Sequence, residues 1–408
     1  MIGGSGSSYG PRGYTGPRGG VFSGRPRSLM SRAFARNSVL RHMDWLLILV
    51  VCGLSGLGTL LVWSATQPGL ITQGADPRTY LKKQLLNVVI GLILMFAVTM
   101  TDHRRLRAWA PAVYIATVLA LLAVLSPLGS DINGAHAWIQ LPGGFQVEPS
   151  EFAKVALIGV TATIFSRRGG ARPGVKALLI AIAAAVPLLG LVVVEPALGV
   201  AMVLVAVLAT MIVLSGMRLR IIAALVVVVG AGIGMAGGLH LLKGYQLTRF
   251  TSFLHPNANL NGAGYNAAQA KIAVGSGGMF GQGLFHGQLV AGNFVPAQQT
   301  DFIFTVAGEE LGFVGAIVIV FLLGVVIVRA LRIASRADDQ FGMLVAVGIA
   351  VWFAFQSFVN IGMTIGIMPI TGLPLPFLSY GGSAVFADMI AIGLLQSVHR
   401  HHSVFGET

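Results

Sequence analysis

The chain has 408 residues, 55% of them hydrophobic and only 10% charged, with a mean hydropathy of +0.80 and a formal net charge of +13. These proportions exclude a soluble multidomain protein and identify a polytopic membrane protein, because crossing ~30 Å of hydrocarbon takes about 20 mostly apolar residues. The single cysteine, Cys52, lies inside the first apolar run, which excludes a disulfide framework and a thiolate metal site.

In chain order, residues 1–43 come first: rich in Gly, Pro and Ser, with seven arginines and no acid. They are predicted to be a disordered basic arm against anionic lipid head groups, not a nucleic-acid arm, and they lack the pattern of a cleavable signal peptide. Ten apolar spans follow, near 45–66, 84–101, 108–129, 150–166, 175–194, 197–215, 220–241, 302–328, 341–364 and 383–398, with a short tail at 401–408. The expected fold is an all-α membrane bundle.

A cytosolic N-terminus places twenty of the 27 cations in inner segments and six in outer ones, with Lys154 inside a span. The positive-inside bias therefore predicts that both termini are cytosolic. Three non-helical stretches then face outward: 130–149, the long loop 242–301 between spans seven and eight, and 365–382. Long loops in compact proteins usually carry function. No inverted repeat of the kind found in many secondary transporters is visible.

The segment "TGLPLPFLSYGGSA" (371–384) sets prolines and glycines between two spans, where backbone survives only if protein or a wet cavity satisfies its amides. Its "LPFLSYGGS" resembles the signature of the SEDS family, the RodA, FtsW and SpoVE proteins of bacterial cell-wall synthesis. "NGAHAWI" (133–139), "FQVEPSEFAK" (145–154), "GAGYNAAQAKIAVGSGG" (262–278), "GQGLFHG" (281–287) and "QQTDFIFTVAGEELG" (298–312) resemble family motifs in family order. The likeness covers a membrane domain over 44–400, and "KIAVGSGG" and "GEELGF" look more like the RodA branch.

The resemblance implies a peptidoglycan glycosyltransferase of the bacterial cytoplasmic membrane, serving cell elongation or division. It would polymerise lipid II into glycan strands carried on undecaprenyl pyrophosphate, in complex with a class B penicillin-binding protein. The alternatives are a catalytically silent SEDS scaffold and a lipid II flippase. Joining a sugar hydroxyl to an anomeric carbon needs a base for the hydroxyl proton and cations beside the departing pyrophosphate.

Arg249 and Lys271 flank the long-loop motif and are the candidate pyrophosphate ligands; Lys243 suits an anchor at the lipid surface. The resemblance adds Lys154, Gln269, Ser379 and Tyr380 as substrate-binding candidates. A divalent cation, Mg or Mn, could share the load, although no carboxylate cluster has metal spacing. The base is less evident. Family members carry a "DPxxDPxGxGY" pattern whose second aspartate is the proposed catalytic residue, and here those positions read His255 and Asn259, with Leu260 in place of the following proline. An amide is no base near neutral pH, and no acid occurs between Glu195 and Asp301.

Candidate bases are then His255, Asp301 and Glu151, each with a plainer alternative: a surface histidine, a helix cap, and an ion pair with Lys154 three residues on. Glu309 and Glu310 lie deeper along the same span as Asp301, and a structural network with Asp388 is an expectation for them. "EPALGV" (195–200) resembles the family's "QPDLGT" without its aspartate and threonine, and His136 stands where many members carry arginine.

Overall fold

The computed structural model describes residues 43–132, 135–141, 145–166, 173–225, 227 and 263–405. The first helices are α1 (Trp45–Thr72), α2 (Thr79–Met100) and α3 (His103–Val124). A small sheet follows, made of β1 (Gly129–Ile132), β2 (Ala135–Leu141) and β3 (Phe145–Val147). Next come α4 (Pro149–Ser166), α5 (Val175–Val194), α6 (Leu198–Leu214), α7 (Ala263–Ser276) and the single turn α8 (Gln288–Ala291). The chain finishes with α9 (Ile303–Arg336), α10 (Gln340–Ile365) and α11 (Gly382–Phe405).

Among the described residues, 7 helices are long and apolar enough to cross a membrane: α1, α2, α3, α5, α9, α10 and α11. The shorter apolar α6 and the charged α4 pack among them. The expected spans fall on α1 to α6 and α9 to α11, except 220–241, which lies mostly outside the described residues. Residues 129–147 depart from an all-helical chain. They form an antiparallel sheet in the order β1-β2-β3, with Gly129 opposite Ile139 and Leu141 opposite Phe145.

The central element is α10, with 72% of its apolar window buried. It packs against α4, α6, α7, α9 and α11. Its start is capped by the Asp339 carboxylate, which accepts the Gly342 N–H, and it ends at Gly366 in the left-handed region at φ 78°, where glycine carries no Cβ penalty.

The entry to α1 is fastened at the opposite end of the bundle. Buried Asp44 accepts the Leu47 N–H at 3.1 Å, pairs with Arg329 of α9 at 2.6 Å, and exchanges backbone hydrogen bonds with the Gln396 amide of α11. Asp44→Ala removes cap and ion pair together, whereas Asp44→Asn keeps an acceptor for the cap. The expected losses are about 2 kcal/mol and about 1 kcal/mol, read as a larger drop in detergent melting temperature for the alanine variant.

Helix α9 is broken near its start. Gly312 sits at φ 67°, and the glycine-rich segment after α7 crosses the gap. There Gln282 and Gly283 donate their N–H groups to the carbonyls of Glu309 and Glu310, and Phe313 and Val314 donate to the carbonyls of Gly278 and Met279. The interruption thus stays hydrogen-bonded, as backbone in a membrane bundle requires. A Cβ at Gly277 would overlap the Gly308 carbonyl oxygen, and one at Gly281 the Glu310 carbonyl oxygen.

Candidate active site at one end of the bundle

The turn from β3 into α4, the α5–α6 turn, the start of α9 and the stretch between α10 and α11 meet at one end of the bundle. They enclose a cavity of about 840 Å³ whose wall includes Glu148, Glu151, Glu195, Asn266, Asp301 and Tyr380.

Helix α4 brings the first two acids. Glu148 precedes the helix; its N–H donates to the Ser383 hydroxyl at 2.8 Å, and its carboxylate accepts from Ser150 at 2.7 Å. Burial, followed by the negative charge of Glu151, pushes the Glu148 carboxyl up to about 8. Glu151, in the first turn, meets Lys154 at 2.7 Å, one turn along the same face, and both side chains are essentially buried. The Lys154 ammonium also donates to the Gln356 amide oxygen at 2.9 Å and lies 4.6 Å from the centre of the Trp352 ring.

Gln356 extends this network by donating to the Pro374 carbonyl at 2.7 Å. Much of the stretch between α10 and α11 is held the same way. Asn360 donates to the carbonyls of Leu373 and Asp301, Ser379 donates to the Thr300 carbonyl and accepts the Leu375 N–H, and Tyr380 N–H donates to the Gln299 carbonyl. Phe377, at φ 64°, donates its N–H to Asp388. Protein groups therefore hold much of the non-helical backbone, and Tyr380 lines the cavity. Burial raises the Tyr380 phenol to about 12, so it remains a neutral donor at physiological pH. Its ring stacks edge-on against Tyr80.

The expected site residues separate on this frame. Glu151, Asp301 and Tyr380 line the cavity. Lys154 is fully buried behind Glu151, and the Ser379 hydroxyl bonds to protein backbone. Lys271 lies along Gly366 at the C-terminal end of α10 and, like Gln269, is not among the lining residues. His255, Asn259, Arg249 and Lys243 lie outside the described residues, as does the side chain of His136. The residue preceding α9 is Phe302, whose side chain makes no capping bond, and Asp301 stands one position earlier.

The deeper acids do not form one network. Glu309 accepts the N–H groups of Leu289 and Val290, Glu310 accepts the Ser64 hydroxyl, and Asp388 holds Phe377. Each fastens a different segment. Two wall acids, Glu148 and Glu195, had no place among the sequence candidates, although both stand in motifs recognised there. The only advance signal was their position at the ends of apolar spans. Among the described residues, no group of three or more His, Cys, Asp or Glu converges as metal ligands.

The family model for FtsW, RodA and SpoVE, described as "Cell cycle protein", matches residues 44–404. The chain is 37% identical to stage V sporulation protein E of Bacillus subtilis, over 88% of this chain and 97% of that one. It is 36% identical to the probable peptidoglycan glycosyltransferase FtsW of Trichlorobacter lovleyi, over 88% and 93% of the two chains. Identity to the peptidoglycan glycosyltransferase MrdB of Escherichia coli is 35%, over 90% and 96%. These values lie too close together to choose a branch. Among solved structures, a chain from a peptidoglycan synthase complex superposes with a TM-score of 0.72 at 29% identity, covering 88% of this chain and 98% of that one. The rod shape determining protein RodA of Thermus thermophilus superposes with a TM-score of 0.63 at 28% identity, covering 88% and 97%. With the family model spanning nearly all of the membrane bundle, and with the cavity walled by its motifs, this chain belongs to the FtsW/RodA/SpoVE family.

Proposed function

We propose that this chain is a peptidoglycan glycosyltransferase that polymerises lipid II at the outer face of the bacterial cytoplasmic membrane, with both termini cytosolic and a class B penicillin-binding protein as its partner. The observation that carries this reading is the acid-lined cavity of about 840 Å³, whose wall draws residues from six of the family-like motifs. The names of its relatives FtsW and MrdB support the activity, and the likeness to a chain of a peptidoglycan synthase complex supports a partner.

In the reaction, the 4-hydroxyl oxygen of an acceptor sugar attacks the anomeric carbon of the donor. The new glycosidic bond forms as the bond to the pyrophosphate oxygen breaks, and that electron pair leaves with undecaprenyl pyrophosphate. A wall carboxylate receives the hydroxyl proton, Tyr380 donates a hydrogen bond to the sugars, and Arg249, with Lys271 set off the cavity wall along Gly366, is assigned to the leaving group's negative charge.

The test is strand-length analysis of products from purified lipid II, using the full chain in detergent with and without its partner. Glycan strands are expected, and Asn259→Asp is expected to raise the rate or leave it unchanged. Binding of lipid II or the partner without any strands would make the chain a scaffold and overturn the polymerase reading.

A further inference from the structure

Glu195 stands in the turn between α5 and α6, on the cavity wall. It is 1% exposed, yet neither carboxylate oxygen has a hydrogen-bond partner among the described residues. Buried carboxylates in folded proteins are ordinarily paired or hydrogen-bonded, because holding an isolated charge away from water is unfavourable. The neighbouring wall acids are engaged: Glu151 with Lys154, and Glu148 with Ser150. Structural fastening therefore accounts for those two and leaves Glu195 without such a role. Glu195 is also one of the residues lining the cavity of about 840 Å³, a space large enough for a sugar.

We infer that Glu195 is the catalytic base of this chain, taking the proton of the acceptor sugar's 4-hydroxyl in place of the carboxylate that position 259 lacks. This inference rests on the polymerase reading above. As the oxygen–anomeric carbon bond forms, the hydroxyl proton moves to a Glu195 oxygen, which becomes a neutral carboxylic acid, and the donor's pyrophosphate departs with the electron pair of the broken bond. The proton then passes to water as products leave.

Burial, followed by the negative charge of Glu148, raises the Glu195 carboxyl to about 8. Among the described residues, the other charged or titratable groups on the same wall are Glu151, with Lys154 behind it, Asp301 and Tyr380. Only the ionised carboxylate accepts a proton, so the polymerisation rate rises with pH through about 8. Removing the Glu148 charge eases ionisation of Glu195 and moves that rise to lower pH.

The experiment compares wild type, Glu195→Gln, Glu195→Asp, Glu148→Gln and Asp301→Asn as full-length proteins, each supplied with lipid II and scored for strand synthesis between pH 6 and 9, alongside detergent melting and lipid II binding. Glu195→Gln, nearly isosteric, is expected to lower the rate by about 100-fold or more while binding and melting temperature hold. Glu195→Asp retains part of the rate, and Glu148→Gln shifts the pH profile downward. An active wild type with an equally active Glu195→Gln variant overturns the inference and leaves the polymerase reading standing. So does a large loss in Asp301→Asn alone, or a wild-type profile that is flat across this range. A wild type that makes no strands overturns both.

Discussion

Lys154→Met will destabilise the protein by about 3–5 kcal/mol, the effect expected when one member of a buried ion pair is removed and the other charge is stranded. Lys154 is 0% exposed and Glu151 2%, so water cannot take over the lost contact. The substitution also removes the donor to Gln356, the residue that ties α10 to the Pro374 carbonyl. Glu151→Gln combined with Lys154→Met leaves no unpaired charge and should recover at least half of the loss. A double-mutant cycle by thermal melting in detergent measures this coupling. Additive effects would mean that the pair does not hold α4 in the bundle.

Gly281→Val should be comparably severe for a different reason. Gly281 lies at φ 81°, a conformation that a β-branched residue adopts only under strain, and any Cβ there meets the Glu310 backbone. The crossing of the 277–283 segment over the break in α9 cannot close around that atom, and the expected cost is about 2 kcal/mol or more. Because the crossing also positions Glu309 against Leu289 and Val290, strand synthesis should fall with the melting temperature. Gly275→Ala, at a helical glycine with open space around its Cβ, is the control and should leave both nearly intact.

Both sites were visible in the sequence as motifs, one with its ion pair and neither with its distant partners. "QVEPSEFAK" already placed Glu151 and Lys154 on one helical face, so the pair follows from spacing alone. Gln356, Trp352 and Pro374, which complete its surroundings, come from positions about 200 residues away. "GSGG" and "GEELG" likewise read as two separate glycine-rich stretches, and nothing local says that one backbone crosses the other. Glu309, Glu310 and Asp388 look alike as acids inside apolar spans, and a shared network was the natural expectation. Their actual partners are a short helix, a serine on α1 and a loop amide, each on a different side of the bundle.

Composition and motif order were enough to establish a many-helix membrane chain and its resemblance to a family, because hydrocarbon thickness dictates span length and apolar runs are counted directly. Which acids share a cavity depended instead on how far each helix is rotated and tilted. Helices that are apolar around most of their circumference carry little pattern to report that rotation. The assembled bundle therefore turned Glu195 from the first residue of a divergent motif into a carboxylate on the cavity wall without a hydrogen-bond partner among the described residues, and set Lys271 along the end of α10.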